Sequence, residues 1–196
     1  MTSHLSIAII TIGDGWLVVE KPAGISIHND PGKDLRSRLA LRVSNDQRLQ
    51  RKIDFNPDYG FHAVGRLDKG ADGLVLVAWR SSVFAQLAGQ YARRETQKEY
   101  KALLYGQLRL DGIAVGDLLW AWSLSKGPCG RGNPAGRAPR VPCETNVNIL
   151  ETASNFTLVA CRPSTGRKHQ IRRHAALSGH PLAGDRRYGL LGAANR

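Results

Sequence analysis

The sequence predicts an α+β fold: one domain with a mixed, largely antiparallel central sheet flanked by helices and loops. Two observations carry this: strand-like runs outnumber helical ones, and the two kinds do not alternate strictly. A doubly wound fold would require regular alternation of strand and helix. With 196 residues the chain has the length for one large domain, whose core needs no metal or disulfide staple.

The elements follow in order. Leu5 to Ile12 is a short apolar run with no Lys or Arg before it and no small-residue cleavage pattern after it, so it reads as a first strand and not a signal peptide. Trp16 to Lys21 reads as a second strand, stopped by Pro22 and Gly24. Asp34 to Val43 carries Leu35, Leu39 and Leu41 among arginines, a weakly amphipathic helix, and the polar residues 44–60 lack a period and read as a surface loop. Gly73 to Trp79 is a strand. Ser81 is then expected to cap a helix in which Phe84, Leu87, Ala88 and Tyr91 recur at helical spacing. Gln97–Tyr105 and Phe156–Cys161 return to strand. Between them, Lys126 to Pro142 holds four glycines and four prolines and is expected to be a mobile basic loop. The last helix is predicted over about 168–178, with Ile171, His174, Ala175 and Ser178 on one face, Gly179 as its cap and Pro181 blocking continuation.

Charge narrows the function. Twenty-eight Lys and Arg against sixteen Asp and Glu leave +12, an excess that points to an acidic partner, most often nucleic acid. Lys126, Arg131, Arg137 and Arg140 lie in one acid-free block, and Arg162, Arg167, Lys168, Arg172 and Arg173 in another. Two such blocks are expected to contact phosphates. Cys129, Cys143 and Cys161 are odd in number and lack CxxC spacing, which fits free thiols in a reducing cytoplasm. No segment reaches the length of a membrane span.

Two stretches concentrate chemistry. The first, Gly65-Arg66-Leu67-Asp68-Lys69-Gly70-Ala71-Asp72-Gly73, precedes an apolar strand and places Asp68 between two cations and several glycines. Glycines permit a tight turn and close approach of a ligand. The flanking cations favour the carboxylate anion, a group able to act as a covalent nucleophile toward sugar carbons; read alone, the stretch is equally a solvated turn. The second, Thr165-Gly166-Arg167-Lys168-His169-Gln170-Ile171-Arg172-Arg173-His174, gathers cations and imidazoles at a helix start, where free N–H groups suit phosphate. His169, His174 and His180 are spaced by five and six residues, fall on different helix faces and lack an acidic or Cys partner, so no metal is expected.

Together with Val19-x-Lys21-Pro22-x-Gly24, Lys98-x-Tyr100-x-Ala102 and the run from Thr165 through Gly179-His180-Pro181-Leu182-x-Gly184-Asp185-x-x-Tyr188-Gly189, these stretches resemble the RluA family of pseudouridine synthases. The patterns stand in the family's order over roughly residues 14–189. Ala71-Asp72 replaces the usual Thr-Ser and Lys168 stands where Thr is common. The resemblance implies one catalytic domain over residues 1–196, with no separate N-terminal RNA-binding module, acting on ribosomal or transfer RNA; a monomer is the default expectation, and the free thiols with the lack of a signal peptide or membrane span point to the cytoplasm. It implies isomerisation of uridine to pseudouridine without a cofactor. Asp68 would be the nucleophile, attacking the sugar carbon or uracil C6. Arg172 would pair with that aspartate, and Tyr100 would lie against the target base. Arg66 would support extrusion of the nucleotide. Leu67 would line the pocket or belong to the core, and Lys21, His28, Arg167, Lys168 and His169 are candidate RNA contacts. Two readings stay open beside this one: a catalytically inactive RNA-binding protein of the same fold, and a hydrolase that releases uracil.

Overall fold

Alternation along Trp16–Lys21 sets the first sheet: Leu17, Val19 and Lys21 turn inward while Trp16, Val18 and Glu20 turn away. A computed structural model describes residues 7–110, 113–114 and 116–189, and divides the chain into two compact units, Met1–Thr96 and Gln97–Arg196. The class is α+β, and every described strand pairing is antiparallel. No helix among the described residues is long and apolar enough to cross a membrane.

In the first unit the elements are β1 (Ala8–Ile12), β2 (Trp16–Lys21), α1 (Leu35–Ser44), α2 (Gln47–Lys52), β3 (His62–Ala63), β4 (Gly73–Ala78) and α3 (Ser81–Ala92), with sheet order β1-β2-β4-β3. The Asp34 carboxylate accepts from the Ser37 N–H at 2.9 Å and starts α1, whose Leu35, Leu39 and Val43 enter the core. Residues 44–60 are not all loop. Asp46 accepts from the N–H groups of Arg48 and Leu49 and nucleates the six-residue α2, in which Leu49 is the sole buried residue. Ser81 is the first helical residue of α3; the cap position falls on Arg80, which makes no side-chain cap bond. The core of this unit joins Leu17, Val19, Val75 and Val77 of the sheet to Leu35, Leu39, Phe61 and Trp79. Burying a side chain of this size contributes about 1.5–3 kcal/mol.

The second unit contains β5 (Tyr100–Tyr105), β6 (Arg109–Leu110), β7 (Ile113–Ala114), β8 (Asp117–Trp120), β9 (Leu124–Ser125), β10 (Arg140–Val141), β11 (Thr145–Thr152), β12 (Phe156–Pro163) and α4 (Gln170–Leu177). Its sheet runs β5-β12-β11-β8, with β6-β7 and β9-β10 as separate ribbons. Within β12 the residues Thr157, Val159 and Cys161 face inward, and the Thr157 hydroxyl is satisfied by donating to Gly106 O at 2.8 Å while accepting from the Leu108 N–H at 3.0 Å. After β5 the chain returns along its edge: Tyr105 N–H donates to Pro181 O, and Ala183 N–H to Leu103 O. Helix α4 ends as expected, in a Schellman motif in which His180 N–H reaches Ala175 O and Gly179 N–H reaches Ala176 O, with Gly179 at φ +81°.

The stretch 126–142 is anchored by a buried cation. Arg173, 1% exposed, donates from Nε to Pro134 O (2.6 Å), from Nη1 to Ser125 O (3.0 Å) and from Nη2 to Ala135 O (2.7 Å). Gly136 closes against the same place, where a Cβ would collide with the Ser125 side chain. Arg173 is thus a structural residue and not a phosphate contact, and β9 and β10 pair across the base of the loop. Replacing Arg173 by Met strands several buried carbonyls, so Arg173→Met is expected to lower unfolding free energy by at least about 2 kcal/mol in urea melts.

Candidate active site

The loop 65–72 joins two antiparallel neighbours. Strand β3 pairs with β4, and the Val64 N–H extends the ladder by bonding to Leu76 O at 2.9 Å. The connection therefore leaves the sheet at Gly65 and returns at Gly73, carrying Arg66, Leu67 and Asp68 between. Ala71 N–H closes a turn on Asp68 O at 3.1 Å, and Gly24 N–H binds Lys69 O at 2.7 Å, tying the loop to the turn that follows β2. Gly73 sits at φ +126°, a backbone conformation that side-chain-bearing residues avoid. Asp68 is half-buried, Arg66 is exposed, and Leu67 is half-buried against the first core.

Lys21 stands opposite Gly73, at the end of both strands. It shares the inward parity of Leu17 and Val19 and is 0% exposed, with Nζ donating to Pro22 O at 2.9 Å and Ile25 O at 3.0 Å. Lys21 is thus not a surface contact for RNA: strand alternation carries it inside. Burial lowers its pKa below the ordinary amine value, opposed by attraction to Asp72 and then to Asp68. A buried ammonium therefore lies within electrostatic reach of both loop carboxylates.

In the second unit Tyr100 begins β5 opposite Cys161 and packs, half-buried, against the second core. His28 and Lys168 are exposed, and Arg167 is half-buried with its backbone N–H on Gln170 Oε1 at 3.0 Å. His169, at φ 55°, is the residue before α4, so the helix starts two residues later than Lys168. Its Nδ1 meets the Tyr188 hydroxyl at 3.0 Å, and that hydroxyl also meets Cys129 Sγ at 3.0 Å. Burial, followed by the contact with Cys129, pushes the Tyr188 phenol up to about 12. Arg172 donates from Nε to Asp185 Oδ2 at 2.7 Å and from Nη2 to Oδ1 at 2.9 Å. Burial opposes ionisation of Asp185, but the bonds from Arg172 and from the Tyr188 and Arg187 N–H groups outweigh it and hold the carboxyl below its usual range.

Beneath this pair runs a buried relay. Glu144 N–H donates to Thr165 Oγ1, the Thr165 hydroxyl to Gln170 Oε1, and Gln170 Nε2 to Thr145 Oγ1 and Glu144 O. The ring of His174 closes the chain between Thr145 Oγ1 (3.1 Å) and Trp122 O (3.0 Å). A carbonyl only accepts, so Nε2 carries the proton and Nδ1 accepts from Thr145. The core-facing side of α4 is therefore largely polar, comprising Gln170, Arg173 and His174 with Ala175. Among the described residues no three His, Cys, Asp or Glu side chains converge as metal ligands. Asp68 belongs to the first unit, Tyr100 and Arg172 to the second. Asp185, Tyr188, Thr165 and Gln170 appear in the sequence only as letters of the closing motif, and His174 only as a residue of the helix face; their shared signal is polar residues before, on and after a short helix.

The RNA pseudouridylate synthase family model matches residues 15–177, a span that contains Lys21, Asp68, Tyr100 and Arg172. The chain belongs to that family. It is 34% identical over 188 residues to ribosomal large subunit pseudouridine synthase C of Vibrio vulnificus, covering 95% of this chain and 54% of that protein. It is 35% identical over 191 residues to the Escherichia coli synthase C (94% and 54%), and 32% identical over 185 residues to synthase D of Nitrosomonas europaea (94% and 50%). The chain thus spans about half the length of the curated relatives it matches. Among solved structures, human RNA pseudouridylate synthase domain containing 1 superposes with a TM-score of 0.69 at 23% identity, covering 95% of this chain and 71% of that one, which shows the shared fold.

Desolvation in the interior, opposed by the Trp122 carbonyl, holds the His174 pKa below its ordinary 6.5. The unfolded chain then binds this proton first. Stability from the neutral ring is complete above pH 6.5 and is lost as pH falls from 6.5 towards the folded value. The difference in urea-melt stability between wild type and His174→Gln is expected to shrink as pH drops below 6.5.

Proposed function

We propose that this chain isomerises specific uridines in structured RNA to pseudouridine, with Asp68 as nucleophile and ribosomal RNA as the substrate class. Family membership supports the reaction, and the names of the relatives support the ribosomal substrate. The observation that carries the assignment of Asp68 is its seat: a carboxylate on a hydrogen-bonded hairpin loop, in electrostatic reach of the buried Lys21 ammonium.

The chemistry needs few parts. Uridine is extruded from its helix, since a stacked base is out of reach of a nucleophile, and Arg66 on the same loop takes a place beside the displaced nucleotide or its phosphate. Asp68 forms a covalent link to the nucleotide, and the bond from uracil N1 to the ribose breaks. The base turns while Tyr100 stacks against it, a contact worth about 1–3 kcal/mol. C5 then joins the same sugar carbon as the aspartate leaves, and the C5 proton passes to water by way of the Tyr100 hydroxyl. Arg172 is assigned as the cation that orients the Asp68 carboxylate. Atoms are conserved, so no cofactor is consumed. Exposed Lys126, Arg131, Arg137 and Lys168 contact phosphates around the modified nucleotide.

Tritium release from RNA labelled at uridine C5 is expected to fall below about a thousandth of wild type in Asp68→Ala and Asp68→Asn, with RNA binding retained. Unchanged release would defeat the catalytic assignment, and free uracil with abasic RNA would show a hydrolase. Separately, RNA affinity is expected to fall with salt with a log–log slope of several units if about five phosphates are contacted. A flat dependence, measured by filter binding, would remove the basic surface from the account.

A further inference from the structure

We infer that Asp185 is a positioning residue for catalysis, one that fixes the orientation of the Arg172 guanidinium; this rests on the reading above that Arg172 serves Asp68. Several features of the turn after α4 support it. The Asp185 side chain is 3% exposed, and both its oxygens grip one edge of the guanidinium, Oδ2 from Nε at 2.7 Å and Oδ1 from Nη2 at 2.9 Å. A two-point fork leaves the planar group one orientation, where a single contact would leave it rotating.

The carboxylate is itself immobilised. Oδ1 also accepts from the backbone N–H groups of Arg187 (2.9 Å) and Tyr188 (3.1 Å), so its position is set by main chain. Tyr188 covers the face of the same guanidinium, with the Arg172 carbon 5.2 Å from the ring centre. The ring is 2% exposed, and its hydroxyl is held by His169 Nδ1 and Cys129 Sγ, each at 3.0 Å. Arg172 is therefore clamped on one edge by Asp185 and on one face by Tyr188, and both clamps come from a single four-residue turn. A residue needed only for its charge would not require this. An arginine that must present its opposite edge to a reacting carboxylate does, because misplacement by about 1 Å can cost a hundredfold in rate.

The test uses the full chain and total RNA from cells lacking the protein, labelled with tritium at uridine C5, under single-turnover conditions. Asp185→Asn keeps an acceptor for the two backbone N–H groups and weakens the fork. It is expected to slow release about tenfold to a hundredfold with RNA affinity within about twofold of wild type. Combined with Arg172→Ala, it should add no further loss, because the aspartate acts through the arginine. Asp185→Glu keeps the charge but moves it by one methylene, and should be slowed as well, which supplies a folded variant if the amide proves unstable. Full rate in either Asp185 variant, or losses that multiply in the double variant, would overturn the inference while leaving Asp68 in place. Full rate in Arg172→Ala would instead remove Arg172 from the mechanism, and this inference with it.

Discussion

A positive charge carried into a protein interior must be met by oxygen atoms, and that constraint organises both units of this chain. Lys21 is answered by the carbonyls of Pro22 and Ile25, Arg173 by those of Ser125, Pro134 and Ala135, and Arg172 by the Asp185 carboxylate. Each answer fixes a piece of backbone that would otherwise be loose. The turn after β2, the base of the glycine- and proline-rich loop and the turn after α4 are all held this way. Charge here acts as internal scaffolding.

The two units use this device differently. In the first, strands β2 and β4 end together at the Lys21–Gly73 pair, and the loop 65–72 rejoins the sheet there with Leu67 packed against the apolar core. In the second, a short helix turns a largely polar face inward, and its oxygens and nitrogens are satisfied one by one from Glu144 to Trp122. A fully satisfied network in a low-dielectric interior resists rearrangement, because each broken link leaves a buried polar atom exposed to the full desolvation penalty. Such rigidity suits a helix that carries Arg172.

Much of this was legible in the residues. Short apolar runs located β2 and β4, and Pro22 and Gly24 marked the stop after β2. Asp34 and Gly179 stand in the sequence at two of the helix ends that the structure shows capped. The failures have physical causes. Helix α2 offers one buried residue, Leu49, and a single apolar position makes no period. By its charge Lys21 reads as a candidate RNA contact, yet its parity with Leu17 and Val19 points inward. Arg173 was counted with the phosphate contacts because composition reports charge and not burial. Asp185 and Tyr188 stood in the recognised motif without a role, since their partners lie 13 residues upstream and, for Cys129, 59. A separation of 29 residues likewise hid the contact between Thr145 and His174.

On the proposed reading, the Asp68 carboxylate makes and breaks the bond that turns uridine over. The most direct test is a nucleotide-resolution map of pseudouridine in total RNA from cells carrying wild type or Asp68→Asn at the same locus and level. A defined set of uridines is expected to be converted with the wild-type chain and unconverted with the variant, with RNA length and base count unchanged in both. Conversion at the same sites in the Asp68→Asn cells would contradict it.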